Sequence, residues 1–236
     1  MMRVLIVAAL LLPAAALAQT QAVEFTQIRA GQPVSIRPDR AYIFYRVPKM
    51  KGAHLSETIF LREFDRATGP RGYNLTSGRL GQFYAETATE RFYLIEAEPA
   101  SYVIAGQGYG THYAATCYCM GTVRFVAKAG VLTDLGYLLS DDPSNLSPFP
   151  ELRAVSGRGQ RIDDGTNSIY VGAIRPVTAD APVPAALRGL PREPAQFRAV
   201  GKFRNSFAFL INRLAPLDGV LAYDEDRVID LQAVAE

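Results

Sequence analysis

The stretch Ala41-Tyr42-Ile43-Phe44-Tyr45-Arg46-Val47 is a run of β-branched and aromatic residues that ends at Pro48. Such residues favour strands, and proline closes the run because it has no backbone N–H to donate to a ladder. Similar runs, bounded by turn residues, follow along the chain at 58–64, 91–97, 101–106, 117–126 and 131–139. The sequence therefore predicts a mainly β protein, an antiparallel β-sandwich whose middle part is a meander of consecutive strands.

One of these runs also predicts which side of a strand faces water. In Thr122-Val123-Arg124-Phe125-Val126, alternation places Arg124 on the face opposite Val123 and Phe125. We expect that face to be solvated, as is common in antiparallel sheets. The tripeptide Lys128-Ala129-Gly130 then predicts a turn into the next strand.

Residues 1–18 have the composition of a cleaved export signal. An apolar run at 4–12 is interrupted by Pro13, so it is shorter than the roughly 20 apolar residues of a membrane span. Ala16-Leu17-Ala18 presents small residues at the positions that a signal peptidase reads. We predict cleavage between Ala18 and Gln19, a periplasmic or secreted protein, and no transmembrane span in the mature chain.

The rest of the chain divides where the composition changes. Residues 140–150 are rich in Ser, Asp and Pro, which is typical of a connection. We therefore predict a β-sandwich domain at 19–140 and a partly irregular C-terminal extension at 141–236. The apolar run at 206–211 indicates that this extension packs back on the sandwich.

Composition excludes two classes of protein. The 236 residues carry 25 basic and 23 acidic side chains, a net charge of +2, which leaves no basic surplus for binding nucleic acid. The two cysteines are too few for a disulfide scaffold.

Cys117-Tyr118-Cys119-Met120 is the chemically distinctive stretch. In an extended strand, Cys117 and Cys119 share a face with their Cα atoms roughly 6.6 Å apart, so a disulfide between them requires a local kink. Three interpretations stay open: a strained disulfide in an oxidising compartment, two packed thiols, or a soft-metal site. The last would use Cys117, Cys119 and Met120 with His112 as a fourth ligand, a sulfur-rich set that favours Cu(I). Beyond this possible Cu(I), no cofactor is predicted.

Motifs for enzymatic chemistry are largely missing from the sequence. It has no nucleophile elbow, no zinc-binding helix motif and no phosphate-binding loop motif, and it holds only two histidines. The glycine-rich segment 106–110 precedes no helical pattern, so we interpret it as a flexible loop between strands.

The corner Glu98-Pro99-Ala100-Ser101-Tyr102, the strand end Phe125-Val126-Ala127-Lys128-Ala129-Gly130 and the pair Leu135-Gly136 resemble a module of exported bacterial proteins. The resemblance is to domain families of unknown function that are similar in outline to prealbumin-like β-sandwiches. It covers roughly residues 40–140, and it implies a β-sandwich and an envelope location without implying catalytic residues.

These observations favour a non-enzymatic envelope protein whose β-sandwich binds another envelope component or a surface ligand. The alternative is a redox or copper-handling protein that uses Cys117 and Cys119. A hydrolase ranks third.

Overall fold

The computed structural model describes residues 25–49, 58–65, 69–75, 82–108, 115–118, 121–141, 148–153, 171–201, 213–225 and 227–233. Within these ranges the regular elements of the chain are almost all β-strands. The strands are β1 (Thr26–Ile28), β2 (Ala41–Pro48), β3 (Thr58–Asp65), β4 (Gly69–Leu75), β5 (Ala85–Glu86), β6 (Glu90–Ala97), β7 (Ala100–Gly108), β8 (Ala115–Cys117), β9 (Thr122–Ala127), β10 (Leu132–Asp141), β11 (Val171–Arg175), β12 (Arg192–Pro194), β13 (Arg198–Val200), β14 (Leu221–Asp224) and β15 (Arg227–Asp230). The helical elements are α1 (Pro150–Arg153) and a 3-10 turn (Ala185–Leu187). In these ranges no helix is long and apolar enough to cross a membrane.

The strands form two large sheets and a separate hairpin. Sheet A has the order β1-β6-β2-β10-β11, with β5 also beside β6 and β12 also beside β10. Sheet B has the order β13-β9-β7-β3-β4, with β8 also beside β7, and β14 pairs with β15. One apolar cluster joins the sheets: Ile43 and Tyr45 of sheet A pack in the same core as Ile59, Ile104 and Phe125 of sheet B. The predicted β-sandwich is confirmed.

The predicted meander is wrong, because the chain repeatedly passes from one sheet to the other. β2 is in sheet A, β3 and β4 are in sheet B, β6 is in sheet A and β7 is in sheet B. Instead of pairing with β3, β2 lies between β6 and β10, antiparallel to the first and parallel to the second. Alternation along a strand predicts which side chains are buried, but it does not identify the partner strand.

The run at 117–126 is also not one strand. It forms β8 and β9, which pair with different parts of the same edge of β7. Between these strands the Gly121 N–H donates to the carbonyl oxygen of Tyr118 at 3.0 Å. Gly121 has a φ of +148°, a conformation that side-chain-bearing residues rarely adopt, and this explains the break in the strand.

The centre of sheet A is buried on both faces. Tyr42, Phe44 and Leu94 point away from sheet B into a second apolar cluster. That cluster is completed by Ile36 from the segment before β2 and by Leu187 from the 3-10 turn. Both faces of β2 are therefore dry, which explains the unbroken apolar run at 41–45 and is typical of strands in parallel pairs.

A buried ion network ties the strands of sheet A to the segment that covers them. The Arg46 guanidinium donates to both oxygens of the Asp134 carboxylate, at 2.6 and 3.0 Å, and each side chain is 1% exposed. Arg192 donates to Asp134 Oδ2 at 3.2 Å. The same arginines donate to backbone carbonyls of the covering segment, Arg46 to Pro182 and Arg192 to Ala181. The network therefore fastens residues 181–182 over sheet A.

A bulge in β10 lies next to this network. β10 pairs with β12 over its first residues, Leu132 to Asp134, and with β11 from Tyr137 onward. Gly136 sits between these two parts with a φ of +79°, and its N–H donates to Asp134 Oδ1 at 2.9 Å. The Asp134 carboxylate, which accepts hydrogen bonds from both arginines, also holds the bulge at which β10 changes partner.

Two local predictions are confirmed. Val123 and Phe125 are buried, Arg124 is half-buried, and Val126 is 47% exposed, so the alternation in β9 is as expected. At the predicted turn, the Val131 N–H donates to the carbonyl oxygen of Lys128 at 3.3 Å.

The part of the chain after residue 140 supplies strands to both sheets. β11 and β12 extend sheet A along β10, and β13 extends sheet B along β9. The hairpin β14–β15 contributes Leu221, Tyr223 and Val228 to the core between the sheets or to its margin.

Candidate functional site

The structure places the backbone of one predicted site residue. Cys117 is the last residue of β8 and pairs with Gly106 of β7. The other residues of the predicted sulfur site and cleavage site lie outside the described residues: Cys119, Met120, His112, Ala18 and Gln19. The disulfide and the Cu(I) site therefore stay predictions. Among the residues that the structure describes, no three His, Cys, Asp or Glu side chains come together as a metal site.

The glycine-rich segment at 106–110 is not entirely a loop. Residues 106–108 are the last three of β7, and they pair with both β3 and β8. The flexibility of glycine did not prevent strand formation here, because β7 has hydrogen-bonding partners on both sides. Gln107 is consequently part of the sheet and is buried.

The outer face of sheet B carries a row of three arginines and one valine across four strands. Arg62 of β3 pairs with Val103 of β7, Val103 pairs with Arg124 of β9, and Arg124 pairs with Arg198 of β13. Residues directly opposite in an antiparallel ladder share a face. Since Val123 and Phe125 point into the core, this row points away from it.

Part of this outer face is open to solvent. We name it the arginine strip and define it as Phe64, Arg124, Val126 and Arg198. The Arg124 guanidinium carbon lies 5.7 Å from the centre of the Phe64 ring, a cation–π contact. Val126 is 47% exposed and the Arg198 side chain is 38% exposed. The strip therefore presents guanidinium groups beside exposed apolar surface.

The strip contains a pair of like charges. Directly opposite residues have Cβ atoms about 4.5–5.5 Å apart, so the Arg124–Arg198 pair is unfavourable unless anions neutralise it. Asp230 of β15 accepts from Arg198 Nε and Nη2 at 3.1 and 2.9 Å. Among the described residues, Arg124 has no carboxylate partner, and the contact that its guanidinium makes there is with the Phe64 ring. Arg124 is thus placed to receive a carboxylate, phosphate or sulfate from outside the chain.

The exposed arginine near α1 is different. Arg175 donates to both carboxylate oxygens of Glu151, at 2.6 and 3.0 Å. The hydrogen bond with Arg175 holds the pKa of Glu151 below its usual range, so the carboxylate stays ionised and the pair is internally neutral. Arg175 therefore offers no free charge comparable to that of Arg124.

Two buried or partly buried pairs of sheet A support the fold. Arg46 and Asp134 are inaccessible to a ligand at 1% exposure. The Tyr137 hydroxyl donates to Glu90 Oε1 at 2.5 Å, and burial, with the Glu90 hydrogen bond as a further cause, raises the pKa of Tyr137 to about 12. Tyr137 is thus a neutral donor over the ordinary pH range.

The sequence by itself predicts only part of the strip. It placed Arg124 on a solvated face, but it gave no indication that Arg198, 74 positions later, would lie opposite. It also overlooked Arg46, although a single arginine within a dry apolar run indicates a buried counter-charge.

No family model matches the chain, and the curated proteins and the solved structures yield no significant match to it. The function is therefore inferred from the fold and the residues of the strip.

Proposed function

We propose that the protein is an exported envelope protein that works as a non-enzymatic binding module. Its β-sandwich presents the arginine strip to an anionic component of the envelope. The observation that supports this function is Arg124, a half-buried guanidinium that lies opposite a second arginine and has no carboxylate partner among the described residues. The export pattern at residues 1–18 supports the location.

The chemistry of the strip favours an anionic partner that also has apolar surface. Guanidinium groups bind carboxylates and phosphates bidentately, and the cation–π contact with Phe64 favours one position of the Arg124 guanidinium. An arriving anion would pair with the Arg124 guanidinium, because Asp230 already accepts from the neighbouring Arg198. Val126 would contribute apolar contact at the margin.

The prominent carboxylates of sheet A and of helix α1 fit a binding module better than an enzyme. Asp134 accepts from two arginines, Glu151 from Arg175, and Glu90 from Tyr137. A general acid or base needs a free approach to substrate, and each of these carboxylates is already engaged by a donor of the chain.

Arg124→Gln is expected to weaken binding of polyphosphate, used as an anionic probe, by about tenfold, which is the loss of one charge-assisted hydrogen bond. Isothermal titration calorimetry at constant ionic strength measures the dissociation constant. The matched control is Arg188→Gln, which removes an exposed arginine from the loop after the 3-10 turn. We expect the control to bind within about twofold of the wild type, because only long-range attraction is lost.

Equal weakening in both variants would show that net charge alone attracts the probe, and the strip would then have no special role.

The double variant Cys117→Ser with Cys119→Ser is expected to bind polyphosphate as tightly as the wild type. Its loss of function would instead favour the redox or copper-handling alternative.

Export is tested by the N-terminus of the protein recovered from the envelope fraction of the organism that encodes it. Intact mass is expected to correspond to a chain that begins at Gln19, because Ala16-Leu17-Ala18 suits the peptidase. Replacing Ala18 with Gln should block cleavage while leaving the described fold unchanged. Recovery of the uncleaved chain in the cytosol would contradict the proposed location.

A further inference from the structure

The inner face of sheet B carries two polar side chains at the end where β7 meets β8. Gln107 pairs with Ile59 of β3, whose side chain is part of the core, so Gln107 faces the same way. Tyr118 extends the β8 ladder by one residue, and its N–H donates to the carbonyl oxygen of Ala105 at 2.9 Å. Because Gln107 also pairs with Thr116, Tyr118 is its diagonal neighbour. Diagonal neighbours lie about 7–8 Å apart, within reach of long side chains.

Both side chains are buried, and neither has a hydrogen-bond partner among the described residues. Gln107 and Tyr118 are each 1% exposed. Neither the amide nitrogen nor the amide oxygen of Gln107 has a partner in the described part of the chain, and the same holds for the Tyr118 hydroxyl. Buried polar groups in folded proteins nearly always have a partner, either protein or ordered water, because burying them unpaired is unfavourable.

The packing against β11 leaves space for the whole Tyr118 side chain. The Tyr118 ring crosses from sheet B to the backbone of Gly172 in β11, where a Cβ atom would overlap the Tyr118 hydroxyl and ring. Gly172 therefore makes room for the phenol at the inner face of sheet A. Burial raises the pKa of Tyr118, with Tyr223 as the second cause, so the phenol is neutral.

We propose that Gln107 and Tyr118 form an internal site that holds one small neutral guest of the size of a water molecule between the two sheets. The Gln107 amide both donates and accepts, and so does the Tyr118 hydroxyl. These groups match a guest that also donates and accepts, and buried water typically makes about three hydrogen bonds. An ion does not fit the site, because it would be held by neutral groups alone in a dry core.

The test is a double-mutant cycle of Gln107→Leu and Tyr118→Phe, followed by equilibrium unfolding in urea. We expect each single variant to lower the folding equilibrium constant about fivefold, since the guest loses one of its partners. In the double variant, the folding equilibrium constant should fall by less than the product of the two single effects. The reason is that the second substitution acts on a site that has already lost one partner. A crystal structure of the wild type should show one ordered molecule bonded to both side chains.

Tyr102→Phe provides the matched control. Tyr102 is fully buried on the same strand, but its hydroxyl donates directly to the carbonyl oxygen of Glu98 at 2.7 Å. The effects of Tyr102→Phe and Gln107→Leu on the folding equilibrium constant should multiply, since the two side chains share no partner. Three results would each overturn the proposal. The first is a single variant at Gln107 or Tyr118 that stabilises the protein, and the second is a pair of effects on the folding equilibrium constant that simply multiply. The third is a crystal structure with no molecule between the two side chains.

Discussion

Asp134→Ala is expected to lower the free energy of unfolding by about 3–5 kcal/mol, the usual cost of removing one partner from a buried ion pair. The substitution leaves the Arg46 guanidinium, with a side chain 1% exposed, without its carboxylate. Arg192, whose side chain is 12% exposed, loses the same carboxylate. Urea unfolding followed by circular dichroism measures the change.

The expected loss is large because Asp134 also has a structural role in the backbone. Its Oδ1 accepts the Gly136 N–H, which holds the bulge where β10 leaves β12 and joins β11. Removing the carboxylate leaves that buried N–H without its acceptor, which is unfavourable in its own right.

The matched control for Asp134→Ala is Glu193→Ala on the neighbouring strand β12. Glu193 accepts from Lys128 at 2.8 Å, but the Lys128 side chain is 58% exposed, so this pair is worth at most about 1 kcal/mol. Adding Arg46→Met to Asp134→Ala should recover part of the lost stability, since one of the uncompensated buried charges is then gone. If Asp134→Ala costs no more than Glu193→Ala, the network is not buried as described.

Gly136→Ala is expected to cost about 2–4 kcal/mol. Gly136 has a φ of +79°, a left-handed conformation that costs a residue with a Cβ atom roughly 1–2 kcal/mol. A Cβ atom there would also overlap the carbonyl oxygen of Arg175 and lie 3.1 Å from the Pro176 Cα. Both neighbours are backbone, so relief requires β11 to move away from β10, which adds to the loss.

Gly189→Ala separates the two contributions to this loss. Gly189 has a nearly identical φ of +81°, but no atom lies within 4 Å of the position that a Cβ atom would occupy. The Gly189→Ala variant should therefore lose only about 1–2 kcal/mol of its free energy of unfolding, which is the cost of the left-handed conformation alone. Equal losses in the two variants would show that β11 does not approach β10 as closely as the structure indicates. Thermal unfolding of both variants provides the comparison.

The strand content of the chain could be predicted because it depends on neighbouring residues. The run 41–47 became β2, and the alternation of Val123, Arg124 and Phe125 correctly predicted the wet face of β9. Both signals are local, since a strand turns successive side chains to opposite faces whatever its partner. The meander prediction failed for the same reason, as local pattern contains no information about which strand lies alongside.

The candidate sites depended on pairings that span long stretches of sequence. Arg124 could be placed on a solvated face from its own strand, whereas its opposition to Arg198 required the register of β9 with β13. Gln107 appeared to belong to a glycine-rich loop until β3 and β8 were found to pair on either side of it.

By itself, the sequence determined that this is a mainly β protein, where several of its strands run, and which face of β9 is solvated. These properties follow from the size and polarity of adjacent side chains. Only the tertiary structure decided that Arg46 meets Asp134, 88 positions away, and that two arginines lie side by side on sheet B. Such contacts are selected by how the two sheets pack and register as a whole, because the free energy of burying their shared core outweighs the preferences of any single strand.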